Sequence, residues 1–185
     1  MKKAPVLNEK QYKSLLNATK MTRYADRNRM MVVLSYGVGL RACEIAAITV
    51  GDVLDSENKV RETVILAAHQ TKGSKSHSLD LSDSVRKEIA KYIKLRKSPL
   101  LRSQKGGRML SHTVQIVLKD LYRKIGLDTC SSHSGRRTFI TNLSEKGVST
   151  RVIQELARHS SLAVTQQYID VSVDKLRNAV NLVAI

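Results

Sequence analysis

Tryptophan is missing from this 185-residue chain, phenylalanine occurs once, and aromatic residues make up only 4% of it. So few rings disfavour an aromatic platform on which bases of a single strand could stack. Cysteine is almost missing as well. Cys43 and Cys130 lie far apart and outside any C-x-x-C pair, which argues against a zinc site or a disulfide framework and suits a reducing cytoplasm. Both read as small buried hydrophobes. No apolar run approaches the ~20 residues of a bilayer span, and the opening MKKAPVLNEKQY lacks the apolar core of a signal peptide, so no membrane partner is expected. Acidic residues are the last shortage: 16 Asp and Glu face 32 Lys and Arg, a formal net charge of +16. Such an excess favours a polyanionic partner through counterion release and steering. Charge alone also fits a ribosome-adjacent or heparin-like surface, but with no stacking platform, double-stranded DNA gripped by its phosphates fits better.

The length suits one ordinary domain, and there is no internal repeat or low-complexity tract. LNEKQYKSLLNATK predicts an amphipathic helix with Asn8 as N-cap and Leu15 and Leu16 inward. A second helix is expected over 23–38, its MMVVLSYGV run largely buried. Gly37 and Gly39 break it before LRACEIAAI, a short helix that should carry Arg41 and Glu44 on one face. VRETVILAAHQ and SHSLDL read as strands joined by a turn at TKGSK, with a further strand expected over 48–53. SDSVRKEIAKYIKLRK, capped by Ser82 or Asp83, is helical again. A basic loop over 97–108 could follow a phosphate backbone. SHTVQIVLKDLYRKIG is a helix ended by Gly126, and three short helices follow, separated near Gly147 and Ser160. SVDKLRNAVNLVAI predicts a last helix with Leu176, Val180, Leu182 and Ile185 apolar. The fold class is mainly α with a small antiparallel β-sheet, that is, α+β.

The chemistry-bearing residues concentrate in SSHSGRRTFITNLSEKGVSTRVIQELARHSSLAVTQQYIDV. His133 and Arg136 stand three apart, which on a helix puts them on one face. His159 opens HSSLAVTQQY, and Tyr168 follows nine residues later. A phenol, with an ordinary pKa of about 10, becomes a nucleophile when it loses its proton. Arginine forks pair with the non-bridging oxygens of a phosphodiester and can hold them without a metal. A phosphotyrosyl ester would store the bond energy, so no ATP is needed. His69, His77 and His112 have no metal-like spacing, and Gly106 and Gly107 lack the strand and helix of a nucleotide loop.

This stretch resembles the tyrosine recombinase (phage integrase) family, whose C-terminal half reads His-x-x-Arg, Leu-Gly-His, then the nucleophilic Tyr. Here the elements are HSGR, LARH and QQY. Arg158 stands where the family usually has Gly, and Arg137 where a second His is common. Arg41, in GLRACEI, resembles the family's first arginine, and Lys72, in TKGSK, its β-hairpin lysine. The resemblance implies that Arg41 and Arg136 clamp the phosphate, Lys72 acts as general acid, and His133 assists proton transfer. His159 would donate to the phosphate and Tyr168 would attack it, with no cofactor. Arg158, beside His159, would add a phosphate contact.

Singly, each residue has an ordinary reading: an intrahelical ion pair for Arg41 and Glu44, a solvated turn lysine for Lys72, a core tyrosine for Tyr168. Together, in this order and at this spacing, they read as one site. The resemblance implies a site-specific recombinase for integration, excision or inversion. The alternatives are a non-catalytic DNA-binding regulator on the same fold and a type IB topoisomerase-like relaxase. It implies double-stranded DNA as partner and a homo-oligomer, a tetramer on two sites, in a cytoplasmic, nucleoid-associated setting. Residues 1–171 would form the catalytic domain, with no N-terminal core-binding domain, as in the short fimbrial phase-switch invertases. A weaker grip would then be offset by the charge or by an accessory DNA-bending protein. The helix over 172–185 either packs on a neighbouring protomer or folds back on its own core.

Overall fold

Asn8 starts the first helix, α1 (Glu9–Lys20), through a reciprocal cap. Its side chain accepts from the Gln11 backbone N–H, and the Gln11 side chain accepts from that of Asn8, both at 2.9 Å. Leu15 is buried and Leu16 packs half-buried against the core. The structure, a computed structural model, describes residues 4–71, 73, 75–93, 99–169, 176–177, 180–181 and 183. The chain divides into two compact units, Met1–Phe139 and Ile140–Ile185.

In the first unit α2 (Ala25–Gly37) is the central helix. Six consecutive residues, Met30 to Ser35, are buried, so every side of the helix meets protein and no polar stripe is needed. Tyr12 of α1 stacks on Tyr36 with ring centroids 3.7 Å apart. Arg29 grips Glu88 with Nε and Nη2 at 2.8 and 2.9 Å, tying α2 to α5 (Asp83–Ile93). The hydrogen bond from Arg29 holds the Glu88 carboxyl below its ordinary value. The core gathers around α2 from Leu15, Ile45, Val64, Ile89, Val114, Leu118 and Tyr122, each worth roughly 1.5–3 kcal/mol when fully buried.

A short helix, α3 (Ala42–Ala47), follows the turn at Gly39. The strand expected over 48–53 is instead a helical turn, α4 (Val50–Val53). Thr49 and Asp52 cap it reciprocally, Thr49 Oγ1 accepting from Asp52 N at 3.2 Å and Asp52 Oδ2 from Thr49 N at 2.8 Å. That local cap outweighs the β-branched residues around it. The sheet is therefore two-stranded: β1 (Thr63–Leu66) runs antiparallel to β2 (His77–Asp80), with Val64 opposite Leu79 on the buried face. After β1 the chain makes a 3₁₀ turn, Ala68–Gln70, where an extended strand was expected. Gln70 Nε2 donates to Ala47 O and to Asp52 Oδ2, at 3.1 and 2.7 Å, fastening this turn to α3 and α4. The helix α6 (Ser111–Lys124) ends just before Gly126, and α7 (Ser134–Glu145) follows.

The second unit holds α8 (Thr150–Ala157) and α9 (Leu162–Gln166), packed together. Ser149 Oγ caps α8 by accepting from Val152 N at 3.4 Å. Of the expected last helix only Leu176, Arg177, Val180, Asn181 and Val183 are described, and Leu176, Val180 and Val183 are exposed. Leu182 and Ile185 lie outside the described residues. Among the described residues no helix is long and apolar enough to cross a membrane.

Candidate functional site

Arg41 is the N-cap of α3. Its backbone N–H donates to Glu44 Oε2 and its Nη1 to Glu44 Oε1, both at 2.8 Å. Glu44 is wholly buried, while 21% of the Arg41 side chain is exposed. A carboxylate taken out of water needs both oxygens satisfied, so Glu44 fixes Arg41 from the backbone and from the guanidinium at once. Nε and Nη2 of Arg41 make no hydrogen bond among the described residues, so they remain available to an anion. The pair is a helix cap rather than two residues sharing a mid-helix face.

Arg136 lies in the first turn of α7, 3% exposed. Its Nη1 donates to Gly39 O at 2.6 Å, across 97 positions of sequence. Gly39 precedes Arg41 by two residues, so this bond joins the loop bearing one arginine to the helix bearing the other. Gly39 has φ +66, and a Cβ there would stand 2.6 Å from Phe139 Cδ1. Backbone conformation and space both demand glycine. His133 immediately precedes α7 and is exposed, unlike Arg136. Its N–H donates to Ser131 Oγ at 3.3 Å, and its carbonyl accepts from Arg137 N at 2.9 Å. Lys72 lies outside the described residues. On its N-terminal side, Thr71 Oγ1 donates to Lys75 O at 2.7 Å.

The second unit brings His159 and Tyr168 together, with ring centroids 5.3 Å apart and planes 24° from parallel. His159 Nδ1 lies 2.9 Å from Thr165 Oγ1, and the His159 carbonyl accepts from Gln154 Nε2 at 3.2 Å. Thr165, wholly buried in α9, also accepts at its carbonyl from Tyr168 N at 3.0 Å. One residue thus contacts the His159 ring through its hydroxyl and the Tyr168 backbone through its carbonyl. Sequence reasoning passed over Thr165 and read Glu44 only as an ion-pair partner. The signals were present in their spacing: three residues before Tyr168, and three after Arg41.

Arg158 ends α8 in the left-handed conformation, φ +56 and ψ +47. Its side chain is buried, and Nη1 donates to Leu156 O at 2.9 Å. Among the described residues no three His, Cys, Asp or Glu side chains group as metal ligands. Guanidinium groups of this kind pair with phosphate oxygens, and a tyrosine phenol is a nucleophile once it loses its proton.

Residues 5–175 match the model of the phage integrase family. The chain belongs to this family. It is 32% identical over 169 residues to the tyrosine recombinase XerA of Pyrococcus horikoshii, covering 87% of this chain and 57% of that one. It is 35% identical over 159 residues to the tyrosine recombinase XerC of Brucella suis, covering 82% and 49%. The chain thus spans about half the length of these curated relatives. Among solved structures, the Tn1549 transposon integrase in complex with circular intermediate DNA superimposes with a TM-score of 0.78 at 21% identity, over 100% of this chain and 68% of that one. The last likeness is one of fold: helices with a small antiparallel sheet. Within the phage integrase family, the left-handed conformation of Arg158 gives a physical reason for the glycine usual at that position.

Proposed function

We propose that this chain is the catalytic part of a site-specific recombinase that cuts and rejoins double-stranded DNA through a 3′-phosphotyrosyl intermediate. The observation that carries the reading is the Tyr168 ring stacked on His159, itself held by Thr165. Family membership and relatives named tyrosine recombinases support it.

In this reading the Tyr168 phenol loses its proton with help from His133 and attacks the scissile phosphorus. A bond from phosphorus to the tyrosyl oxygen forms as the bond to the 5′ oxygen breaks. Lys72 protonates the leaving 5′ oxygen, giving a free hydroxyl. Arg41 and Arg136 hold the non-bridging oxygens as charge redistributes around the five-coordinate phosphorus. When the Thr165 hydroxyl donates to His159 Nδ1, the proton of the neutral ring sits on Nε2, which is the phosphate donor this role needs. A 5′ hydroxyl from a partner duplex then attacks the ester in the reverse sense, exchanging strands. We further propose that four protomers hold two sites, with an accessory DNA-bending protein as a further partner, and that the protein works on the nucleoid.

Covalent trapping tests the reading. Nicked suicide duplexes, tiled from the DNA flanking the gene, are incubated with the protein and run on denaturing gels. A protein–DNA adduct is expected, and its loss in Tyr168→Phe identifies the nucleophile. No adduct on any duplex, despite tight binding in gel shift, would turn the reading to a non-catalytic regulator. Relaxation of supercoiled plasmid lacking any particular site would turn it to a relaxase.

A further inference from the structure

At one point in the first unit, α7 meets α2 with no side chain from α7 between them. A Cβ built on Gly135 would collide with Ser35 Oγ, and would lie 3.0 Å from Ser35 Cβ and 3.2 Å from its carbonyl carbon. The last of these atoms is backbone, so rotating the serine does not open the space. Ser35 is 1% exposed, and its hydroxyl has no hydrogen-bond partner among the described residues. A buried hydroxyl without a partner destabilises, so hydrogen bonding gives no reason for serine at this place. What the residue supplies is small size in the middle of a crowded helix.

The first two turns of α7 are fastened from other sides as well. Ser134 Oγ accepts from Ser131 N at 3.1 Å, and Thr138 Oγ1 accepts from Leu7 N at 2.9 Å. Burial pushes the Tyr122 phenol well above its ordinary value, opposed by a backbone hydrogen bond from Gly135. Arg136 is the next residue, and its guanidinium rests on Gly39. A lateral shift of α7 would therefore move Arg136 without removing any charge.

We infer that Gly135 and Ser35 form a positioning pair, whose close approach sets where Arg136 presents its guanidinium to the phosphate. The inference rests on the role proposed above for Arg136 and extends it to two residues that touch no substrate. A methyl group at 135 forces α7 off α2 and lifts Arg136 from Gly39. Removing the Ser35 side chain takes away the two nearest of the three contacts and leaves the backbone contact at 3.2 Å.

The test compares wild type, Gly135→Ala and the double variant Ser35→Gly/Gly135→Ala on one suicide duplex, separating the rate of adduct formation at saturating DNA from the dissociation constant. Misplacing a positioned group by an ångström costs up to about 100-fold, so Gly135→Ala is expected to form adduct about tenfold or more slowly. Binding sums over many phosphate contacts, so its dissociation constant should move by less than about threefold. The double variant should recover most of the lost rate. Gly135→Ala cleaving at the wild-type rate, or a double variant no faster than the single one, overturns the inference. Crystal structures of wild type and Gly135→Ala give a readout independent of cleavage: Arg136 Nη1 leaves Gly39 O in the variant, and an unmoved Arg136 overturns the inference too. An adduct that persists in Tyr168→Phe would sink the proposed nucleophile, while the position of Arg136 would still decide the pair.

Discussion

In the unit Met1–Phe139, Arg136 is buried and its guanidinium rests on a carbonyl 97 positions away, beside a core drawn from α1 through α6. In the unit Ile140–Ile185, Tyr168 is half-buried just after a five-residue helix, and two of its partners lie within ten residues of it. Thr165 and His159 precede it by three and nine residues, and Thr141 reaches its carbonyl at 3.5 Å. Buried apolar side chains described in that unit are Ile140, Ile153 and Ala157. Placement across 97 residues carries a loop-closure cost that only a large core offsets. Placement by neighbours forms with local structure and opens at small cost. The difference suits the proposed roles. A phosphate-holding cation gains most when it is in place before charge develops, whereas a nucleophile must engage and then release its ester.

The largest effect that could break this comparison comes from Arg136→Lys. Lysine keeps the charge but is a point donor without a planar fork. Adduct formation should fall about 10²–10³-fold, the effect of losing one donor to a developing oxyanion. The salt dependence of DNA binding should stay unchanged, because the charge is retained. A cleavage rate near that of wild type would mean that long-range seating of the guanidinium is irrelevant. Next in size is native-state hydrogen exchange. Amides of α2 should open with free energies at least about 3 kcal/mol above those of α9. Equal protection would remove the contrast between the units.

Much of this architecture was legible because local rules and tertiary needs agree. Asn8 with Gln11, the apolar run of α2, the glycines after it and the breaks near Gly147 and Ser160 each name their own element. The reading failed where a local cap competed with a β-rich composition. Thr49 and Asp52 wind residues 50–53 into a helix although Ile48, Val50 and Val53 favour a strand. At the site, residue types were readable and their holders were not. Glu44 could be read only as an ion-pair partner, because its complete burial depends on the whole core. Thr165 carries no distinguishing composition, and its contact with His159 appears only once α9 folds back on α8. The approach of Gly135 to Ser35 joins positions 100 residues apart in a motif whose histidine and arginine draw the attention.

The smallest effect concerns Arg158, where the chain departs from the family's usual glycine. A non-glycine residue in the left-handed region costs roughly 1–2 kcal/mol, and here the arginine offsets part of that cost with its buried stem and its bond to Leu156 O. Arg158→Gly and Arg158→Ala both discard those side-chain contributions, so the difference between them isolates the backbone. The glycine variant should be the more stable by about 1 kcal/mol, read from urea unfolding followed by exchange or fluorescence probes placed on α8. The same pair tests the expected phosphate contact: with Nη1 turned back to Leu156, the salt slope of DNA binding should change by less than about one unit. Equal stabilities would mean that α8 does not end in the left-handed turn, and the reason given for the family's glycine would fall with it. A slope that drops by a full unit would instead return Arg158 to the DNA and leave its bond to Leu156 as a resting contact.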